Sequence, residues 1–291
     1  MNEEKVKILI EALPYIKKFR GKTFVIKYGG SIMKNESAKK AFIEDVVLMK
    51  LVGIHLIIVH GGGPSISALM EKLEVKSEFV HGLRVTDEKT MEIVEMVLSG
   101  QINKEIAAAL CQHQVSAIGI SGRDGNLIQA EKKYLYEGEE KIDIGYVGEV
   151  VNVNKKLLKD LLEKEQLPVI SPVGCDVEGK PYNINADYVA SAVSSVLEAE
   201  KLILLTDIEG IYKDISDPTS FISEITIEEM KAYIDNGILS GGMIPKAQCC
   251  IDALEGGTKN VHLIDGRKEH SLILEIFTNG GIGTMVKGSV E

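Results

Sequence analysis

The sequence predicts an α/β protein built on a mainly parallel central sheet. Short apolar runs rich in β-branched residues alternate along the chain with longer stretches of helical periodicity. This alternation requires crossover connections between strands, and such connections give a parallel sheet. Glycine-rich turns follow the first two apolar runs, as expected at the carboxyl ends of neighbouring strands.

An amphipathic helix is predicted ahead of the first strand, because Leu9, Ile10, Leu13 and Ile16 recur at helical spacing. Pro14 lies inside this pattern and is expected to bend the helix. The apolar face of this extra helix has two interpretations. It packs either on its own domain or on another subunit.

Six apolar runs are interpreted as core strands, at residues 23–27, 56–60, 117–120, 168–171, 202–206 and 261–264. Helical patterns are found at residues 38–51, 64–73, 87–98, 188–197 and 246–254. The segments 143–154 and 174–184 carry alternating residues and turn signals, which predicts two hairpins over the edge of the sheet.

The length of 291 residues fits two lobes that share a sheet, with a boundary expected near residues 178–183. The net charge of −10 argues against a nucleic acid or an anionic membrane as the main partner. The four cysteines include no C-x-x-C pair, and neither a signal peptide nor a membrane-length apolar run is found. We therefore expect a reduced, cytoplasmic protein with a small ligand.

The two glycine turns, 27–30 and 61–63, predict a phosphate site. Their backbone N–H groups are not covered by side chains, which suits an anionic phosphoryl group. The sequence lacks the P-loop, the dinucleotide-binding fingerprint and the protein-kinase signatures. A phosphate-binding protein of this kind needs its own set of cations and donors.

Two lysines and one aspartate are candidates for that set. Lys27 ends the first strand, and Lys246 opens a helix after a glycine pair, although either could be an ordinary solvated charge. Asp187 and Asn185 precede a helix, so both have an alternative role as helix caps. If Asp187 instead lies between the lysines, its carboxylate orients two ammonium groups that otherwise repel each other.

The chain resembles the amino-acid kinase family and, within it, the acetylglutamate kinase branch of the arginine-inhibited type. The motifs that carry the resemblance occur in the family's order and span nearly the whole chain, at residues 25–31, 59–64, 81–86, 183–187, 206–210 and 241–246. Tyr188, Val189 and Ile32 depart from the residues usual in the family. The resemblance implies a three-layer αβα sandwich of the amino-acid kinase type, with an extra N-terminal helix.

The resemblance also implies an activity. The γ-phosphoryl group of ATP is transferred to the side-chain carboxylate of N-acetyl-L-glutamate in arginine biosynthesis, and Mg²⁺ arrives with the ATP rather than in a protein metal site. The implied catalytic residues are Lys27, Lys246 and Asp187. The implied substrate-binding residues are Gly62, Gly63, Arg84 and Asn183, and the implied phosphate- or nucleotide-binding residues are Gly30, Asp207 and Gly210.

The arginine-inhibited members of the family are hexamers that carry an added N-terminal helix. The resemblance therefore implies a homohexamer, as a trimer of dimers, with arginine as inhibitor. The candidate arginine-binding residues are Tyr15, Lys213, His262, Glu275 and Gly281. Residues 1–20 are expected to form the interlacing helix, 21–180 an acetylglutamate-binding and dimerisation lobe, and 181–291 an ATP-binding and regulatory lobe. The sequence does not decide whether a PII-type protein binds.

Three alternatives share parts of this pattern. A sister kinase could act on glutamate, acetylaminoadipate or aspartate through the same lysine and glycine framework. A regulatory subunit could sense nucleotides without turnover, although it would have no need for both lysines and Asp187. A Rossmann-type dehydrogenase would need the fingerprint that the sequence lacks.

Overall fold

The computed structural model describes residues 2–30, 32–214, 216–278 and 280–288. Ser31, the last residue of the first motif, lies outside the described residues. The strands are β1 (Thr23–Tyr28), β2 (His55–His60), β3 (Phe79–Val80), β4 (Leu83–Arg84), β5 (Ala117–Ser121), β6 (Ile128–Glu137), β7 (Glu140–Val153), β8 (Leu167–Ser171), β9 (Val173–Cys175), β10 (Pro181–Asn183), β11 (Lys201–Thr206), β12 (Ile211–Tyr212), β13 (Phe221–Ile222), β14 (Glu224–Thr226), β15 (Asn260–Asp265) and β16 (Thr284–Lys287). The helices are α1 (Asn2–Phe19), α2 (Glu36–Leu51), α3 (Gly63–Lys72), α4 (Glu88–Glu95), α5 (Asn103–Gln112), α6 (Lys155–Glu163), α7 (Ala186–Val196), α8 (Ile227–Asp235), α9 (Met243–Glu255) and α10 (Ser271–Ile276).

Eight strands form the central sheet, in the order β14-β16-β15-β11-β1-β2-β8-β5. The pairings from β15 to β5 are parallel, whereas β16 runs antiparallel to β15 and β14 runs with β16. The prediction of a mainly parallel sheet is therefore confirmed. The predicted core strands agree with the observed ones to within one residue at either end, because each is an apolar run ended by polar residues or glycine.

Helices cover both faces of this sheet. Alternate residues of β1 enter two separate cores, with Phe24 and Ile26 in one and Val25 in the other. The first core includes Phe42 of α2, and the second includes Val189 of α7. Because each face carries its own buried layer of helices, the three-layer αβα arrangement is confirmed.

Four strands form a small closed barrel, in the order β10-β7-β6-β9. The predicted hairpin at residues 174–184 is confirmed, since β9 and β10 pair antiparallel. The predicted hairpin at residues 143–154 is wrong, because residues 143–153 belong to the single strand β7, which pairs with β6. Gly145 has a φ of 78° inside the strand, next to a register shift in the pairing, so it belongs to an irregularity of β7 and not to a turn between two strands.

The helix predicted at residues 87–98 is longer than expected. The chain continues from α4 through a π-helical segment, Met96–Ile102, directly into α5. Apolar periodicity does not distinguish a π-helical insertion from the end of a helix, since the insertion shifts the apolar face by only a fraction of a turn. This π-helical segment packs beside the second glycine turn, as shown below.

The N-terminal helix α1 runs through Pro14. Tyr15 and Ile16 pack against the first core, while Ile10 and Leu13 are 58% and 45% exposed. The helix thus contacts its own domain at one end and leaves apolar side chains uncovered. The bend at Pro14 and the division into lobes stay predictions.

None of the helices in the described ranges is long and apolar enough to cross a membrane. The four cysteines are free thiols, and Cys111 is the exposed one among them.

Candidate active site

The candidate site lies at the carboxyl edge of the central sheet, where strands from both halves of the chain end side by side. Lys27 of β1 is in register with Val59 of β2 on one side and with Leu204 of β11 on the other. The two glycine turns and the segment after β11 therefore begin at neighbouring points. Parallel α/β sheets hold their ligands at this edge.

Two lysines converge on one carboxylate here. Nζ of Lys27 lies 2.9 Å from Oδ1 of Asp187, and Nζ of Lys246 lies 3.3 Å from Oδ2. Asp187 stands in the first turn of α7, and Lys246 stands in the first turn of α9. The structure thus brings together the three residues that the sequence analysis placed in one site. Their catalytic roles stay predictions.

Asp187 is ionised at neutral pH. Burial raises the pKa of its carboxyl, but the charges of Lys27 and Lys246 and their hydrogen bonds outweigh burial and hold the pKa below its usual value. The capping of α7 falls to Asn185, whose side-chain oxygen accepts a hydrogen bond from the Asp187 N–H at 2.8 Å. The Asp187 side chain is therefore left to the two lysines.

The two glycine turns touch each other. A Cβ at Gly30 would lie 3.0 Å from the backbone nitrogen of Gly62. A Cβ at Gly62 would lie 2.5 Å from Leu98 and 2.6 Å from Ile102, both in the π-helical segment. A side chain at position 30 would press on the backbone of the second turn, whereas one at position 62 would require the buried ends of Leu98 and Ile102 to shift. Gly63 begins α3, so the positive end of that helix opens onto the same space.

A cavity of about 240 Å³ lies over the glycine turns. Its lining includes six of the predicted site residues, namely Lys27, Gly30, Gly62, Gly63, Arg84 and Asn183. One ammonium, one guanidinium and one amide therefore face a single space of small-molecule size. This arrangement suits a small anionic ligand.

Arg84 is held firmly in the wall of this cavity. Its guanidinium donates to the carbonyl of Gly63 at 3.1 Å, to Oγ of Ser67 at 2.8 Å and to Oγ of Ser77. Its Cζ lies 4.6 Å from the ring centroid of Phe79. A bound carboxylate would compete with the two hydroxyls for the same N–H groups, because charged acceptors form the stronger hydrogen bonds.

Two further cavities are larger than this one. One, of about 670 Å³, is lined by residues that include His81, Asp187, Tyr188, Gly241, Gly242 and Lys246. The other, of about 370 Å³, is lined by residues that include Gly210, Tyr212, Lys213, Ile238 and Leu239. Asp207 follows β11 and is exposed, and its carboxylate accepts a hydrogen bond from Oγ1 of Thr206 at 3.3 Å.

Across the described ranges, no three His, Cys, Asp or Glu side chains come together as a metal site.

The model of the amino acid kinase family matches residues 22–265. The chain belongs to the amino acid kinase family. The family resemblance drawn from the motifs is thereby confirmed.

Two curated relatives in this family are named acetylglutamate kinase. The relative from Heliobacterium modesticaldum is 54% identical over 288 residues, which cover 97% of this chain and 98% of the relative. The relative from Clostridium acetobutylicum is 56% identical over 271 residues, which cover 93% of this chain and 92% of the relative. The similarity therefore extends over nearly all of each chain.

A solved relative is the N-acetylglutamate synthase from Neisseria gonorrhoeae. Its complex with coenzyme A and N-acetyl-glutamate has a TM-score of 0.85 at 27% identity and covers 98% of this chain and 64% of that chain. Its complex with coenzyme A and L-arginine has a TM-score of 0.78 at 25% identity and covers 97% and 65%. The amino acid kinase chain described here thus spans just under two thirds of that synthase.

Of the five predicted arginine-binding residues of this amino acid kinase, three lie together and two lie elsewhere. Nδ1 of His262 lies 2.6 Å from Oε1 of Glu275, whose Oε2 accepts N–H groups of Ile282 and Gly283 at 2.6 and 3.1 Å. A Cβ at Gly281 would lie 3.0 Å from Oε2 of Glu275. The structure thus groups three of the five candidates. Lys213 instead lines the cavity beside Gly210, and Tyr15 packs on the core from α1.

Lys201 belongs to this buried group but was missed in the sequence analysis. Its Nζ lies 2.6 Å from Nε2 of His262 and 5.3 Å from the ring centroid of Phe19, at the end of α1. Burial lowers the pKa of Lys201 to about 8, and burial also lowers the pKa of His262. The signal was available, since a lysine opening a fully apolar strand is unusual.

His60 was also missed. It is fully buried at the end of β2, where Nδ1 lies 2.9 Å from the carbonyl oxygen of Gly61 and Nε2 lies 3.2 Å from Nδ2 of Asn103. Burial lowers its pKa to about 4. Because the Gly61 carbonyl only accepts, Nδ1 carries the proton and Nε2 accepts from the amide. A neutral imidazole thus ties the second glycine turn to the residue that follows the π-helical segment.

Proposed function

We propose that this chain is an acetylglutamate kinase, which transfers the γ-phosphoryl group of ATP to the side-chain carboxylate of N-acetyl-L-glutamate. The observation that carries the proposal is the convergence of Lys27 and Lys246 on Asp187, beside a cavity that also contains Arg84 and Asn183. Curated relatives with this name, such as the two described above, support the choice of substrate.

Phosphoryl transfer to a carboxylate requires cations near the transferred group and does not require a general base. A carboxylate nucleophile is already ionised at neutral pH, so the barrier comes from bringing two anions together while charge spreads over the transferred group. In the proposed reaction, Lys27 and Lys246 stabilise that charge, and Asp187 keeps their ammonium groups in place. The N–H groups at Gly30, Gly62 and Gly63 serve as further donors.

The acid and the nucleotide occupy different ends of the site in this proposal. The 240 Å³ cavity holds the acid, with Arg84 on its α-carboxylate and Asn183 on its acetamido group. The cavity beside Gly210 takes the nucleotide base, with Asp207 near it. Mg²⁺, when bound on the ATP phosphates, neutralises part of their charge.

The test is a coupled assay of ADP release with ATP, Mg²⁺ and one acid at a time. We expect turnover with N-acetyl-L-glutamate and at least about 100-fold lower kcat/KM with glutamate, aspartate and acetylaminoadipate. Identification of the acyl phosphate, trapped with hydroxylamine, links ADP release to the carboxylate. Equal or better turnover with another acid, or none with any, would refute the assignment.

We further propose that arginine inhibits the enzyme through the buried group of Lys201, His262 and Glu275. A buried carboxylate is a suitable partner for a guanidinium, and the contact of Lys201 with Phe19 links this group to α1. The L-arginine complex of the related synthase supports the choice of ligand. Tyr15, Lys213 and Gly281 complete the proposed set.

The exposed Ile10 and Leu13 on α1 support the proposal of a homohexamer built as a trimer of dimers, in which α1 contacts a neighbouring subunit. We place the reaction in the cytoplasm, which agrees with four free thiols. The lobe division at residues 21–180 and 181–291 is part of the same proposal.

A further inference from the structure

Thr86 is a fully buried residue whose hydroxyl contacts the backbone carbonyl of Arg84 and the side-chain amide of Asn183, the two predicted acid-binding residues. Its Oγ1 donates to the carbonyl oxygen of Arg84 at 2.8 Å, and it lies 3.2 Å from Nδ2 of Asn183. No role for Thr86 follows from the motif that contains it. Its position between Arg84 and Asn183 nevertheless gives it control over the geometry of the cavity.

The direction of these hydrogen bonds is fixed by counting protons. The Arg84 carbonyl has no proton, so the single hydroxyl proton of Thr86 goes to that carbonyl. The hydroxyl oxygen is then an acceptor toward Asn183, which requires the NH₂ end of the amide to face Thr86. The remaining amide atom, Oδ1 of Asn183, is therefore turned away from Thr86 and is available as an acceptor to the cavity that Asn183 lines.

The backbones of Thr86 and Asn183 are both paired with the same strand, β7. The Thr86 N–H donates to the carbonyl of Ile144 at 3.0 Å, and the Tyr146 N–H donates to the carbonyl of Thr86 at 2.6 Å. Asn183 pairs with Val147 of the same strand, β7. A Cβ at Gly145 would lie 2.1 Å from the Thr86 carbonyl oxygen, so this bridge depends on glycine. Thr86 and Asn183 thus cannot shift independently.

We propose that Thr86 is a positioning residue that sets the amide of Asn183 with its oxygen toward the substrate, so that the site accepts an N–H from the acid and disfavours a group without one. This inference rests on the proposed function, in which Asn183 binds the acetamido group. Its effect is on recognition of the acid and not on the phosphoryl transfer itself.

The first test compares Thr86→Val, which keeps the shape but removes the hydroxyl, with Thr86→Ser, which restores the hydroxyl. The KM for N-acetyl-L-glutamate is expected to rise about tenfold in Thr86→Val and to stay within about twofold in Thr86→Ser. The kcat and the KM for ATP stay within about twofold in both. Thr258→Val is the matched control, because it removes a buried hydroxyl that lies 2.7 Å from Ser194 Oγ, away from the cavity.

The second test uses the wild-type enzyme and does not depend on the folding of a variant. In 2-acetoxyglutarate an ester oxygen replaces the acetamido N–H, so it would face Oδ1 of Asn183 with a lone pair. We expect kcat/KM to be at least about 100-fold lower with this ester than with N-acetyl-L-glutamate. In Thr86→Val, where the Asn183 amide is free to turn, we expect this difference between the two acids to be smaller.

The outcomes separate this inference from the proposed function. Absence of ADP release with N-acetyl-L-glutamate in the wild type refutes the proposed function itself. Normal wild-type turnover, combined with an unchanged KM in a folded Thr86→Val or with equal use of the ester, refutes the role of Thr86 alone. A rise of KM in Thr258→Val equal to that in Thr86→Val would also overturn it, since the effect would then be a general loss of packing.

Discussion

The Lys27 ammonium and the Asp187 carboxylate lie 2.9 Å apart, although they come from opposite halves of the sequence. Both side chains are nearly buried, at 12% and 10% exposure. A buried ion pair of this kind contributes little to stability on balance, because desolvation of both charges offsets their attraction. We infer that the pair is there to orient a cation rather than to strengthen the fold.

The lysines should therefore matter far more for turnover than for folding. Lys27→Ala and Lys246→Ala are each expected to lower kcat by roughly 10²–10³, since each removes a donor to the charge that develops in the transition state. Steady-state ADP release gives kcat, and thermal unfolding monitors the fold. Lys231→Ala is the control, because Lys231 forms a similar 2.7 Å ion pair with Glu255 but is half exposed and belongs to no predicted site. Near-normal turnover in either site variant would contradict the roles given to these lysines.

Asp187 and Lys27 should act as one unit. Asp187→Asn removes the charge that holds two ammonium groups together, so we expect a loss of kcat comparable to that in Lys27→Met. The double variant should lose much less than the product of the two single losses, because the second change removes an arrangement that the first has already disrupted. A double-mutant cycle on kcat measures this, and strict additivity would argue that the two residues work independently.

The two adjacent glycines of the second turn should respond differently to alanine. Gly62→Ala places a methyl group 2.5 Å from Leu98 and 2.6 Å from Ile102, so we expect a loss of about 1–3 kcal/mol in the free energy of unfolding. Gly63→Ala is the matched control, since nothing lies within 4 Å of its Cβ position and it begins a helix. Denaturant unfolding compares the two, and equal stability losses would contradict the close packing against the π-helical segment.

His60 should make the protein lose stability as the pH falls. Burial lowers the pKa of His60 to about 4, whereas a histidine in the unfolded chain has a pKa near 6.5. Between about pH 6.5 and pH 4, His60 is therefore protonated in the unfolded chain but neutral in the folded chain. The contribution of His60 to the free energy of unfolding is complete above pH 6.5. It falls progressively as the pH drops to about 4, and the total loss is about 3 kcal/mol.

Unfolding curves measured between pH 4 and pH 7 check this. In His60→Asn the free energy of unfolding should depend less on pH over that range, whatever the stability of the variant at pH 7. An unchanged slope in His60→Asn would show that other groups cause the dependence.

The N-terminal helix should connect assembly with regulation. Deleting residues 1–18 removes Ile10 and Leu13, together with Tyr15 and Ile16 at the margin of the first core, but keeps the buried Phe19, so we expect the domain to fold with reduced stability. We expect sedimentation to show dimers in place of hexamers and arginine to inhibit no longer, with the uninhibited kcat kept. Unchanged sedimentation and inhibition in this truncation would reject the role proposed for α1.

The sequence was sufficient where local pattern and tertiary structure agree. The strand runs around Ile26 and Ile58 are apolar on both faces and end at glycine, so β1 and β2 were predicted almost to the residue. The pairing of Lys27 with Asp187 was expected only as one alternative, and the motif resemblance made it the better one.

The parts that escaped prediction depend on contacts between distant segments. The turn signals in residues 143–154 predicted a hairpin, but Gly145 is required inside β7 because the Thr86 backbone lies against it. Asn103, which bonds His60, and Asn183, which bonds Thr86, come from other elements, and apolar periodicity gives no sign of either contact. Buried polar residues thus showed their roles only when their hydrogen bonds were assigned.

The position of β1 between β2 and β11 has a consequence for any attempt to divide this protein. A fragment ending near residue 180 would lack β11, and the apolar edge of β1 from Phe24 to Lys27 would have no partner. Such a bare edge is a template for pairing with other chains. Recombinant production of the first lobe alone should therefore yield aggregates, whereas co-expression of both fragments offers a route to a soluble, reassembled protein.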